Sequence, residues 1–305
     1  MYLHNEDKAL FQDMIQYVSE QANVREDIVE KDYYVTIILK ELSKMVCPVV
    51  FKGGTSLSKA YGVIDRFSED IDITFSEHIG EARRKKLKYN VMKPIEDKLG
   101  LTIINWNHIE SDKDLNRYVF SYESIVQDYM DKIQTSVIIE TSLMSYSFPT
   151  KLRKISNYAY VYMRNNQLEF LDQYGLLPFE MRVQSLERTL IDKIFAICDY
   201  YLLGRDKKNA RHLYDIFKIQ NFVEINDDFI NLVQEVRKHR ILLTEKIAPA
   251  ASFDVNIKQL AMEICDTNFY KQDYEDTTIF MISDQISYEV VRDNYLETVK
   301  KIWKD

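Results

Sequence analysis

Apolar residues recur at helical spacing from the start of the chain. Phe11, Met14, Ile15 and Val18 fall at i, i+3, i+4 and i+7, which predicts a helix over residues 6–22. Val29, Tyr33 and Ile37 continue the rhythm in a second helix over 25–45. A short apolar strand, 49–52, then runs into Gly53 and Gly54, the chain's only Gly-Gly pair, where the backbone can bend or approach a ligand without a side chain in the way. A short helix is predicted from about Ser56 to Val63. The pattern then changes period: DIDITF, residues 70–75, alternates polar and apolar residues and predicts a half-buried strand with Asp70, Asp72 and Thr74 on one side.

Beyond a basic helix near 80–98, strand-like runs occupy 101–106, 117–122 and 136–143, after which strands largely stop. Residues 145–178, with Pro149, Gly175 and Pro178, read as an irregular junction, although 158–163 could form one more strand. From Leu186 onward the pattern is helical with interruptions, in segments ending near 203, 219, 240, 266 and 303. The expected fold is therefore α+β, a mixed sheet flanked by helices followed by a mainly helical second domain, divided as 1–177 and 178–305. There is no internal repeat and no low-complexity tract.

Composition narrows the class. Hydrophobic residues make up 46% and charged residues 29%, with only seven Gly and five Pro, so disorder and loop-rich disulfide scaffolds are excluded. The three cysteines, Cys47, Cys198 and Cys265, are isolated and suit a reducing compartment. The first twenty residues lack the basic start and apolar run of a secretory signal, and no stretch approaches the roughly twenty apolar residues of a membrane span, so a cytoplasmic location is expected. A formal charge of −8 means that any nucleic-acid contact must be local. Three basic patches are candidates, at 83–88, at 151–154 and at Arg205 to His212, and each is also explained as a solvated face.

Chemistry concentrates in FKGGTSLSKAYGVIDRFSEDIDITF, residues 51–75. Gly53 and Gly54 let backbone N–H groups approach a triphosphate, Thr55 and Ser56 add hydroxyl donors, and the N-terminus of the next helix favours negative charge. Asp70 and Asp72, two positions apart on one strand, share a side and suit a hard cation. Magnesium takes oxygen ligands and keeps positions for phosphate and water, so paired carboxylates beside a phosphate cradle match nucleotidyl transfer. Each half alone has a plain alternative, a solvated strand end or an ordinary turn; their joint occurrence favours chemistry. Glu69 points to the opposite face and caps or pairs with Arg66. His78 and His108, the nearest histidines, read as surface residues rather than general bases.

The run KGGTSLSKAYGVIDRFSEDIDI, residues 52–73, closely resembles the first motif of the AbiEii/AbiGii toxin family. That family is a branch of the DNA polymerase beta-like nucleotidyltransferase superfamily whose members are toxins of type IV toxin-antitoxin systems. VEKDYYVTIILKEL, 29–42, is similar to its N-terminal helix, and LERTLIDKIFAICDYYLLGRDKKNARHLYDIFKI, 186–219, resembles its later motifs. Nothing after residue 220 carries a specific resemblance.

What the resemblance implies is a magnesium-dependent enzyme, with one ion or two, acting on a nucleoside triphosphate. Gly54, Thr55 and Ser56 fall at the phosphates, Asp70 and Asp72 at the metal, Lys193 on the nucleotide phosphates, and Asp215 in support. A third carboxylate is usual on a neighbouring strand, and Glu140 in TSVIIETSL is the candidate; pairing with a buried Arg or Lys is its alternative. Lys193 sits among Leu190, Ile194 and Ile197, where an unpaired ammonium is costly, so a phosphate partner or a snorkelling stem both fit. Asp215 has a simpler alternative in Arg211 one turn earlier. Two departures stand out: the spacing from Gly-Thr to the aspartates is slightly long, and Thr55 replaces a common Ser.

Family members that act on tRNA make an RNA 3′ end the implied acceptor, with an AbiEi-like antitoxin as functional partner. The basic cluster at Arg205 to His212 could guide a phosphate backbone. Two other classes stay open, a small-molecule nucleotidyltransferase of the antibiotic-modifying type and a non-catalytic nucleotide-binding module.

Overall fold

A computed structural model of the chain describes residues 1–45, 49–66, 68, 70–77, 85–109, 115–126, 134–142, 147–243 and 246–304. The backbone separates into two units, one of residues 1–61 and 68–183, the other of 62–67 and 184–305. Glu69, His78 and the arginines at 83 and 84 lie outside the described residues.

The first unit opens with α1 (Leu3–Glu6), α2 (Lys8–Ala22) and α3 (Glu26–Ser43). Asp7 caps α2 by accepting from the Leu10 amide at 2.9 Å, satisfying one of the orphan donors of the first turn. Phe11, Met14, Ile15 and Val18 are the buried stripe of α2, as the spacing predicts. After α3 come β1 (Val49–Lys52), the helical turn α4 (Gly53–Ser56) with its π-helical continuation Leu57–Tyr61, and β2 (Ile71–Phe75). A second π-helical turn, Lys88–Met92, leads into α5 (Lys93–Leu99). There follow β3 (Thr102–Ile103), β4 (Leu115–Ser121), β5 (Ser136–Ser142), β6 (Thr150–Ile155), α6 (Tyr158–Met163), α7 (Leu168–Gln173) and β7 (Phe179–Gln184).

Seven strands form one mixed sheet in the order β3-β4-β5-β2-β1-β7-β6. Strand β2 lies antiparallel to β1 and parallel to β5, while β7 runs parallel to β1. The central strands are the most apolar: Phe51, Ile71, Ile73, Val137 and Ile139 have no exposed surface. Burying a side chain of this kind contributes about 1.5–3 kcal/mol, so the strands that carry the site are the best anchored in the sheet.

Three expectations need correction. Strands do not stop after residue 143, because β6 and β7 complete the sheet on the far side of β1. Four of the six residues of β6 are exposed, so this edge strand shows no alternation to read. Residues 158–163 form a helix rather than a strand, since Asn157 caps it by accepting from the Tyr160 amide at 2.6 Å. The strand expected over 101–106 shrinks to two residues, and a 3₁₀ turn takes Trp106–His108.

The second unit is helical: α8 (Leu186–Leu202), α9 (Arg211–Ile219), α10 (Asp227–Ile241), α11 (Ile257–Asp266), α12 (Lys271–Asp276) and α13 (Tyr288–Ile302). Side chains of Ser185, Asn226 and Asn256 cap α8, α10 and α11. The excursion at 62–67 is stitched into this unit, with the Asp65 amide donating to the Tyr214 hydroxyl at 3.3 Å and Arg66 bridged to Ile282. Among the described residues no helix is long and apolar enough to cross a membrane.

Candidate active site

In the first unit the site is built where β1 ends. Gly53 takes φ +76°, a conformation that L side chains rarely adopt, and a Cβ there would lie 1.8 Å from Oδ2 of Asp72. The glycine's missing side chain therefore makes room for an aspartate carboxylate. Register explains why: Lys52 on β1 is opposite Asp72 on β2, so the residue after Lys52 turns directly over that carboxylate. On its other side Asp72 is in register with Glu140 of the parallel strand β5. Both acids are half-buried, while Ile71 and Ile73 on the opposite face are in the core. Asp70 stands just ahead of β2 and is also half-buried.

The hydroxyls beside the glycines are committed within the protein. Thr55 Oγ1 donates to the Asp70 carbonyl and lies 2.9 Å from Ser68 Oγ, tying α4 to the segment that enters β2. Ser56 Oγ donates to the Gly53 carbonyl at 2.8 Å. Thr55 is 1% exposed and Ser56 0%, so both hold the turn in shape. No side chain caps the first turn of α4, which leaves the backbone N–H groups, rather than these hydroxyls, as its anion donors.

Lys59 fastens the π-helical turn from behind. Its Nζ donates to Asp32 Oδ1 at 2.5 Å and lies 2.7 Å from Thr36 Oγ1, and Asp32 Oδ2 accepts from the Tyr158 amide at 2.9 Å. The residues sit on three elements far apart in sequence, so no local pattern marks them.

The oxygen donors fit a hard divalent cation. Among the described residues no three His, Cys, Asp or Glu side chains are grouped closely enough to hold a metal by themselves. Magnesium does not need such a cage, because it is commonly held by one or two carboxylates with phosphate oxygens and water completing the shell. Asp72 and Glu140, neighbours on adjacent strands, are a donor pair of that kind. Glu140 also has a cationic neighbour, Arg117, whose Nε lies 3.8 Å from Glu140 Oε1, but Arg117 is exposed rather than the buried partner expected.

In the second unit Asp215 is the hub. Arg66 embraces it with two bonds, Nε to Oδ1 at 2.7 Å and Nη2 to Oδ2 at 2.8 Å, and Lys193 Nζ donates to Oδ2 at 2.6 Å. All three are buried, at 5%, 6% and 0% exposure for Arg66, Lys193 and Asp215. Asp215 thus pairs with Lys193 and Arg66, and the Arg211 alternative is not the arrangement adopted. Arg66 lies 149 residues away, which is why sequence spacing does not find it.

Two cations, Arg66 and Lys193, share the Asp215 carboxylate. Burial pushes the Asp215 carboxyl up, but Arg66 and Lys193 outweigh it and hold the group far below the usual carboxylate range. Burial pulls the Lys193 ammonium below the lysine range, and Arg66 adds to this while Asp215 opposes it. His212, 3.4 Å from Lys193 Nζ through Nδ1 and stacked on Tyr200, is driven well below the ordinary imidazole range by burial and then by Lys193. A neutral imidazole accepts a hydrogen bond from the Lys193 ammonium at Nδ1 and carries its own proton on Nε2.

A mixed sheet with carboxylates on adjacent central strands and a glycine turn packed on one of them belongs to the nucleotidyltransferase class. Comparison with known proteins agrees: the chain belongs to the nucleotidyl transferase AbiEii toxin family of type IV toxin-antitoxin systems, whose profile matches residues 37–299. The fold is similar to that of MenT4, a nucleotidyltransferase toxin from Mycobacterium tuberculosis H37Rv, at 15% identity and a TM-score of 0.59, over 94% of this chain and 89% of the other. No curated protein matches the sequence.

Proposed function

We propose that this protein is a cytoplasmic toxin that transfers a nucleotidyl group from a nucleoside triphosphate to an RNA acceptor, the 3′ end of a tRNA, and releases pyrophosphate. Asp72 and Glu140 hold magnesium, as one ion or two, with phosphate oxygens and water completing the shell and Asp70 flanking the pair, and backbone N–H groups at Gly53 and Gly54 receive phosphate. Lys193 binds nucleotide phosphate, and Asp215, fixed by Arg66, orients Lys193. An AbiEi-like antitoxin is the functional partner. The observation that carries the reading is the Asp72 carboxylate seated on the bare Cα of Gly53, with Glu140 in register beside it.

When bound, the metal neutralises the triphosphate and stabilises the departing oxygen. The protein's own contribution is placement. The acceptor hydroxyl oxygen forms a bond to the α-phosphorus, the bond from that phosphorus to the β-phosphate oxygen breaks, and the hydroxyl proton passes to the carboxylate of Asp72 or Glu140. Holding two carboxylates on rigid central strands removes the reorganisation that mobile ligands would require.

Labelled triphosphates offered one at a time with total tRNA, and in parallel with aminoglycosides, test the reading. Label in tRNA that disappears in Asp72→Ala supports it. Label only in the small molecule, or none with any of the four nucleotides, rejects the RNA acceptor.

A further inference from the structure

The loop at 205–210 that leads into α9 has an unusual construction. Asp273 on α12 is 8% exposed, and its carboxylate accepts from three consecutive backbone amides, Lys208 at 2.7 Å, Asn209 at 2.9 Å and Ala210 at 2.8 Å. Asn209 Nδ2 closes the loop onto the carbonyls of Arg205 and Lys207. The buried charge is thus met by backbone N–H groups, and the loop's own cations are not used to neutralise it. Lys208 takes φ +65°, where Gly or Asn is the cheaper residue, so strain is accepted and a cationic side chain is kept.

The cations this arrangement presents are Arg205, Lys207, Lys208 and Arg211. All four are exposed, and among the described residues no ion pair engages them. Only Asp206 is interspersed, so a net of three positive charges is concentrated on seven residues of a chain whose formal charge is −8. The loop passes directly into α9, whose His212 and Asp215 belong to the Lys193 cluster. A solvated surface needs neither the buried carboxylate staple nor the strained lysine.

We infer that the 205–211 loop is the binding surface for the sugar-phosphate backbone of the RNA acceptor, with Asp273 as the positioning residue that sets its cations. The assignment rests on the RNA-acceptor reading and adds to it the surface that takes the strand. Phosphate contacts of this kind release counterions, so their number is read from salt dependence: each contact to a single strand contributes about 0.7 to the slope of log affinity against log salt.

The test is anisotropy of a 5′-fluorescein single-stranded RNA with a free 3′ hydroxyl, titrated with the full-length protein over a series of salt concentrations. The variant Arg205→Ala, Lys207→Ala, Lys208→Asn keeps a residue that tolerates left-handed backbone at 208 and removes three charges. Its slope is expected to fall by about 2 while triphosphate binding is unchanged. Asp273→Ala keeps every cation yet should weaken RNA binding severalfold, and Asp273→Asn should restore part of the loss. If Asp273→Ala does not fold, the surface variant decides alone. A wild-type protein that binds and labels RNA, with a triple variant of equal slope, overturns the loop assignment only. A wild-type protein that binds triphosphate but neither binds nor labels RNA overturns the acceptor reading as well.

Discussion

Replacing Gly53 by alanine tests the junction of cradle and carboxylate at one atom. The new Cβ would stand 1.8 Å from Asp72 Oδ2, 2.7 Å from its Cγ and 2.9 Å from its Cβ, whereas ordinary contact begins at 3.4 Å. The carboxylate must therefore retreat by about 1.6 Å, or the strand end must shift, since a larger side chain forced into a packed site displaces its neighbours. Two costs add. Placing a Cβ on a left-handed backbone costs about 1–2 kcal/mol, and overpacking costs about 1–3 kcal/mol more. Gly62 isolates the first cost, because it also has positive φ, +63°, and a Cβ there meets nothing within 4 Å. Gly62→Ala should then lose about 1–2 kcal/mol in urea unfolding, and Gly53→Ala clearly more. Activity separates them further, since a misplacement of about 1 Å costs on the order of 100-fold in rate. In an Asp72→Ala background the excess cost of Gly53→Ala should shrink, because the contacts with Oδ2 and Cγ are gone and only that with Cβ at 2.9 Å remains, and the double-mutant cycle reads the difference. Equal stability losses at the two glycines, with transfer activity retained at Gly53→Ala, would refute the close approach.

Further outcomes follow from the second cluster and from the sheet. Asp215→Asn should cost about 3–5 kcal/mol in chemical unfolding because it removes the buried charge that both Arg66 and Lys193 bond. Lys193→Met should cost far less, since Arg66 still makes two bonds to Asp215, and the opposite order would refute Asp215 as the hub of the cluster. His212 is held neutral in the fold, so the unfolded chain takes up its proton first and stability falls as pH drops below about 6.5, with a slope of up to about 1.4 kcal/mol per pH unit. His212→Asn, which keeps an acceptor for Lys193, should remove that slope between about pH 6.5 and 4.5, a window above the range where Asp215 begins to protonate; an unchanged pH profile in urea titrations contradicts the assignment. Glu140→Gln should raise the magnesium concentration for half-maximal transfer by about tenfold or more with little effect on fold stability, and an unchanged metal titration removes Glu140 from the ligand set.

Much of this architecture is written in local pattern. The helical spacing of Phe11 to Val18, the alternation across Asp70 to Phe75 and the Gly-Gly pair each reflect a constraint between neighbouring residues, and such constraints survive without knowledge of the fold. Register is a different kind of information. That Asp72 lies beside Glu140 depends on which strand pairs with which, and that Gly53 is bare to admit Asp72 depends on a turn over the adjoining strand. The β7 strand did leave a signal, Met181 and Val183 buried between exposed Glu180 and Arg182, hidden by the Pro178 just before it. Strand β6 left none, because an exposed edge does not need alternation. Arg66 is a further case of this kind, since its guanidinium makes two bonds to Asp215, 149 residues away in sequence.

The central claim is that Asp72, seated on Gly53, holds the divalent ion that serves nucleotidyl transfer. Crystals grown with manganese and a non-hydrolysable triphosphate would show it through anomalous scattering. The account predicts a peak at coordination distance from an Asp72 carboxylate oxygen, with a phosphate oxygen in the same shell. A peak elsewhere, or ordered triphosphate with no metal at Asp72, would contradict it.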